Sequence, residues 1–97
     1  MASVYDKGDL VRISAVFTVN STATDPTTIT LKVKDPSGNV DTYTYAGGTV
    51  NRSAVGSFYK DVSVDETGYW WYQWIGTGTV ETVEENYFVV RPRQVGT

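Results

Sequence analysis

The sequence predicts an all-β chain, an antiparallel sandwich of about seven strands. Three observations predict it. Apolar and polar residues alternate with period two over successive stretches. Clusters of Gly, Pro, Asn, Asp and Ser separate those stretches every ~8–12 residues. Helix formers are scarce, whereas Thr, Val and Tyr are abundant. A small barrel is the alternative architecture.

The first alternating stretch is "LVRISAVFTV", residues 10–19. Val11, Ile13, Ala15, Phe17 and Val19 share one face; Arg12, Ser14 and Thr18 share the other, with Val16 as the exception. Its length suggests a strand that bends or changes partner midway. "NSTATDPTT" follows as a polar loop that Pro26 keeps from extending. In "ITLKVK", Ile29, Leu31 and Val33 point inward and Thr30, Lys32 and Lys34 outward. "DPSGN" is a turn, because Pro36 pre-sets φ and Gly38 or Asn39 takes a positive φ.

"VDTYTY" returns as the hairpin partner, with Tyr43 and Tyr45 on the face of Asp41 and Val40 opposite. "AGGTVNRSAVG" reads as a loop with a short strand at Val50. "SFYKDVSV" places Phe58, Val62 and Val64 on one face with Lys60 between them; Lys60 is expected to snorkel at a sheet edge. After the turn "DETG", "YWWYQWI" puts Trp70, Tyr72 and Trp74 on one face and Tyr69, Trp71 and Gln73 on the other. "GTG" closes a hairpin into a last strand, Val80 to Val90. Phe88 and Val90 continue the inward face set by Val80. Glu84 has the same parity, and a core rejects an unpaired carboxylate, so a bulge or break is expected near Glu84–Asn86.

The 97 residues fit one domain, 1–97. Residues 1–8 and 91–97 are expected to be flexible or held by a partner. There is no cysteine and no histidine. This removes disulfides, thiolate metal sites, the commonest metal ligand and the usual base near neutral pH. The net charge of −3, without a Lys/Arg cluster, argues against a nucleic-acid partner. No stretch reaches the ~20 apolar residues of a membrane-spanning helix. "MASVYDKGDL" has no apolar run after basic residues, so no signal peptide is expected. No cofactor is expected, since neither glycine-bearing loop matches the phosphate-cradling pattern or precedes a helix.

"VDETGYWWYQW" resembles the corner before the sixth strand of immunoglobulin-like domains. There an acidic residue, a glycine and an aromatic occur at alternate positions, as do Glu66, Gly68 and Trp70. Trp70 stands where that pattern has tyrosine, and no cysteine follows. A tryptophan lacks the phenolic hydroxyl that makes the usual corner hydrogen bond. More widely, "GDLVRISAVFTV", "TDPTTITLKVKDPSGNV", "VDETGYWWYQWIGTG" and "FVVRP" resemble small immunoglobulin-like proteins encoded by tailed phages and prophages. The resemblance covers nearly the whole chain. It implies an immunoglobulin-like sandwich and a non-enzymatic virion component, made in the cytoplasm of the host bacterium. The partners it implies are capsid, neck or tail proteins, and further copies of the chain as a homo-oligomer.

The expected core is Phe17, Leu31, Phe58, Gly68, Trp70, Tyr72, Trp74 and Phe88. A stacking platform for sugar or single-stranded nucleic acid is the competing reading of Trp70, Tyr72 and Trp74, but the chain has few other large residues to fill a core. The candidate interaction surface is Tyr69, Trp71 and Val83, with Trp71 expected roughly opposite Val83 once the hairpin closes. Such an outward patch marks an interface, or it is a cross-strand pair that shields the sheet. Asp61, Asp65, Glu66, Glu81, Glu84 and Glu85 form an acidic set without a calcium-loop pattern and without a cleft for glycoside chemistry. A carbohydrate-binding or adhesin-type module is the second function class. A small enzyme or inhibitor ranks last, because no nucleophile–base pair is present.

Overall fold

Ten strands order the chain: β1 (Ser3–Asp6), β2 (Leu10–Val16), β3 (Thr18–Val19), β4 (Thr22–Ala23), β5 (Thr28–Lys34), β6 (Val40–Thr44), β7 (Asn51–Ala54), β8 (Ser57–Ser63), β9 (Gly68–Thr77) and β10 (Thr82–Arg91). The structure is a computed structural model that describes residues 3–92, and among these there is no helix. Five strands form one sheet in the order β1-β10-β9-β5-β6, and three form a second in the order β2-β8-β7. The β3–β4 hairpin stands apart. The fold is therefore the expected all-β sandwich, with more and shorter strands than the seven read from the pattern.

Alternation creates the two layers. Val11 and Ile13 from β2, and Phe58 and Val62 from β8, are buried against Leu31 and Val33 of β5 and Trp70 and Trp74 of β9. Phe17 sits at the seam, with ring centroids 5.9 Å from Phe58 and 6.4 Å from Trp74, both edge-on. Trp70 stacks on Phe88 at 6.0 Å. Each of these rings takes on the order of 150–250 Å² out of water.

The bend expected after "LVRISAV" falls at Phe17. Its N–H donates to the Gly56 carbonyl and its own carbonyl accepts from Thr24. The chain then leaves the three-stranded sheet for the β3–β4 hairpin, which lifts Val19 off the inner face and exposes it. Asn20 and Ser21 both have positive φ, 51° and 67°, between the paired Val19 and Thr22. A two-residue turn of that type joins strands in right-handed twist. "NST" is thus a hairpin, where the sequence suggested only loop. The expected turn at "DPSGN" forms with positive φ at Gly38, not at Asn39.

Three further expectations are corrected. Residues 3–8 are not loose: Ser3–Asp6 pair with Phe88–Arg91, and Lys7 N–H donates to the Arg91 carbonyl. This pairing is parallel, the exception in an otherwise antiparallel fold. Arg91 belongs to β10, and its guanidinium meets Asp6 at 2.6 Å. The expectations for residues 1–2 and 93–97 lie outside the described residues. No bulge interrupts β10, whose register with β9 runs unbroken from Thr82–Gly76 to Val90–Gly68. Glu84 stays solvated because the shorter facing sheet ends at β2 and leaves this part of β10 uncovered. Lys60 does not lie on an edge strand: β8 is the middle of its sheet, and the Lys60 ammonium rests 4.9 Å from the Tyr43 ring centre on the facing sheet. Its stem still borders an opening, since β7 pairs with β8 only as far as Tyr59.

Candidate functional site

Strands β9 and β10 carry the outward residues. Register fixes what meets across them. Trp71 lies opposite Tyr87, and Val83 opposite Ile75. The expected Trp71–Val83 pair is therefore not formed. Tyr87, which sequence reading passed over, takes that place. Its ring centre is 4.8 Å from Trp71 and 5.6 Å from Tyr69, stacked on the latter. Tyr69, Tyr87 and Trp71 make one continuous aromatic strip. Tyr69 is 56% exposed and Trp71 41% exposed.

The rest of the face is ordered in rows set by the same pairings. Val4, Val89 and Tyr69 form an apolar row. Next comes Tyr87, Trp71, Lys34 and Val40. A polar row of Glu85, Gln73, Lys32 and Thr42 follows. Beyond it lie Val83, Ile75, Thr30 and Thr44. Val83 is exposed on the same face but is separated from Trp71 by the polar row, four residues or ~13 Å along the strand. Of the three residues expected to form the surface, two are brought together and the third stands apart. Beside Trp71 is a shallow depression of about 170 Å³ edged by Lys32, Lys34, Val40, Gln73 and Glu85.

On the inner face of β9, Trp70 and Trp74 are buried as expected, whereas Tyr72 is only partly buried and packs against Phe88 at 6.1 Å. Burial, with Tyr5 and Glu84 adding, pushes the Tyr72 phenol above its ordinary value. The Trp74 Nε1 is buried with no hydrogen-bond partner. Phe17, Leu31, Phe58 and Phe88 are all buried in the core. Gly68 opens β9 with φ +127°, and a Cβ there would stand 3.0 Å from Pro36 Cβ.

The acidic residues are dispersed. Asp61 makes a two-pronged contact with Arg12, at 2.9 and 3.2 Å, and Arg12 also lies 4.0 Å over the Tyr59 ring. The Arg12 hydrogen bond holds the Asp61 carboxyl below the ordinary range. Glu66 bonds Ser37. Glu85 sits on the outer face, while Glu81 and Glu84 border the uncovered inner side of β10. Among the described residues, no three carboxylates gather closely enough to hold a metal ion. Neither a protein-family model, nor a curated protein, nor a solved structure matches the chain.

Proposed function

We propose that the chain is a non-enzymatic docking module, an immunoglobulin-like domain that decorates or joins the head, neck or tail of a phage particle. The observation that carries the docking role is the Tyr69–Tyr87–Trp71 strip. Three aromatic side chains on a regular sheet face offer area at little cost in side-chain entropy. The flanking Val4 and Val89 row extends it, and the Glu85–Gln73–Lys32 row gives it a polar border. Two further points support the immunoglobulin-like reading: the pairing of β1 with the last strand of the five-stranded sheet, and the glycine-aromatic corner at Gly68 and Trp70. The virion setting rests on the sequence resemblance. In a repetitive shell, modest contacts multiply through avidity, so one small face suffices. The partners are capsid, neck or tail proteins or further copies of the chain.

The test is particle incorporation. Particles assembled with the wild-type chain should retain it through purification. Particles assembled with folded Trp71→Ala or Tyr87→Ala should lose it. Absence of the wild-type protein from purified particles, or equal copy numbers of wild type and variants, overturns the proposal.

A second reading, carbohydrate binding, is favoured by one feature: the depression beside Trp71 sets Lys32, Lys34, Gln73 and Glu85 around an exposed indole. A glycan array with no hits removes it.

A further inference from the structure

The sandwich has four sheet edges, and three are blocked against further pairing. β1 is short, at four residues. β6 carries Asp41 opposite Val33, a charge on the inward side. β7 is four residues long and broken by a register shift between Arg52 and Ala54. Such devices keep sheet edges from recruiting other strands. β2 has none of them. It runs seven residues in unbroken register with β8, about 23 Å of strand. Its one charged side chain, Arg12, is turned back onto Asp61 and Tyr59 of β8.

The direction of the β2 backbone follows from two bonds. Val64 N–H donates to the Asp9 carbonyl, and Phe17 N–H donates to the Gly56 carbonyl. Odd-numbered residues of this strand therefore face β8. By alternation, the N–H and C=O groups of Leu10, Arg12, Ser14 and Val16 face away from it. Leu10 and Val16, at the two ends of that edge, are each 66% exposed.

Beside this edge lies a trough between β2 and β10. It consists of three hollows of about 130, 380 and 290 Å³. The first two share Ser14, Tyr72 and Asn86, and the last two share Glu84, so they form one channel. The ends are lined in part by apolar side chains, Phe88 and Val11 at one and Phe17 and Val80 at the other. The middle is lined by the inward side chains of Glu84, Asn86 and Tyr72. Trp74 forms part of the middle wall, and its Nε1 is the buried donor that lacks an acceptor.

We infer that the β2 edge and this trough accept an extended segment of another protein, added as a fourth strand to the β2-β8-β7 sheet. Its backbone bonds to the outward groups of Leu10, Arg12, Ser14 and Val16. Its inward side chains follow the trough: apolar, then lysine or arginine beside Glu84, then apolar, at alternate positions. The basic group makes a charge-assisted hydrogen bond to Glu84, which the added strand itself covers. The strand also brings carbonyls and side-chain oxygens to the wall that holds the Trp74 donor. This site is on the opposite side of the five-stranded sheet from the exposed rings of Tyr69 and Trp71, neither of which lines it.

A labelled nonapeptide tests this, with valine, lysine and valine at its third, fifth and seventh positions and threonine elsewhere. Fluorescence anisotropy should show saturable binding, and amide exchange should show new protection at Arg12 and Ser14. Ser14→Pro removes an edge donor that faces solvent, a position where a strand tolerates proline. Glu84→Lys reverses the charge at an exposed residue. Each should weaken binding by about tenfold or more, and Trp71→Ala should leave it unchanged. No binding up to about 1 mM, or equal binding to wild type, Ser14→Pro and Glu84→Lys, overturns the inference. So does a dimer of the chain that the peptide disperses, which would assign the edge to a second copy.

Discussion

The Trp70 indole Nε1 donates a hydrogen bond of 3.0 Å to the backbone carbonyl of Glu66. The corner pattern that this segment resembles uses a tyrosine hydroxyl to reach back to the backbone. Here an indole N–H does that from the same side of the strand. The bond ties the start of β9 to the preceding turn, while the ring itself stacks on Phe88. Trp70→Phe keeps an aromatic ring but loses the donor and part of the volume. We expect a loss of about 1–3 kcal/mol in chemical denaturation. Trp70→Tyr should lose less than Trp70→Phe. Equal losses would show that the bond contributes nothing.

Gly68 sits two residues before that indole, at a φ of +127° that L side chains rarely adopt. An added Cβ also meets Pro36 at 3.0–3.1 Å. Backbone strain and the Pro36 contact act together, so Gly68→Ala should cost about 1–3 kcal/mol. In the Pro36→Gly background both contacting atoms, Cβ and Cγ, are gone and the strain remains. A double-mutant cycle by urea denaturation should therefore recover only part of the loss. Full recovery would assign the whole cost to the contact.

These residues also show what was legible in the sequence. Ile29, Leu31 and Val33 alternate without exception, and β5 was read directly. Which faces Trp70, Trp71 and Trp74 occupy was equally plain. Register was not. A slip of four residues leaves every side chain on its original face, so alternation cannot distinguish Val83 from Tyr87 as the partner of Trp71. The distance depends on the turn, and pairing begins at Gly76–Thr82, a longer connection than "GTG" suggested. The uncovered stretch at Glu84 was hidden for a related reason: parity gives the side of a sheet but not whether another sheet faces it. β1 left no local signal, because its pairing with β10 joins opposite ends of the chain.

Asp25 and Asp61 both contribute to the response to acid. The Gly56 N–H at 2.7 Å, followed by the Arg52 guanidinium, holds Asp25 below the ordinary carboxylate range. Arg12 does the same for Asp61. A depressed folded-state pKa stabilises the fold above the unfolded value, ~3.9 for aspartate, and that contribution disappears as pH falls through the folded-state pKa. Stability should therefore be level from neutral pH to about 5 and fall below about 4. Asp25→Asn should lower the plateau and make the acid slope shallower in urea titrations across pH. An unchanged slope would show that Asp25 is not held differently in the folded and unfolded chain.

Removing the N-terminal segment tests whether β1 is part of the fold. Tyr5 packs edge-on against Phe88, ring centres 5.3 Å apart, and Asp6 meets Arg91. Phe88 in turn stacks on Trp70. Without β1, one side of Phe88 faces water and the backbone groups of Phe88–Arg91 that face β1 lose their partners, while those facing β9 keep theirs. Burying an aromatic side chain contributes on the order of 1.5–3 kcal/mol. Tyr5→Ala should therefore destabilise by about 1–3 kcal/mol. Deleting residues 1–6 should cost more than Tyr5→Ala, because the strand pairing goes as well. Amide exchange in the truncated chain should lose protection first at Phe88–Arg91 and only later in β5. If truncation leaves both stability and that protection unchanged, β1 is an accessory strand and not a structural one.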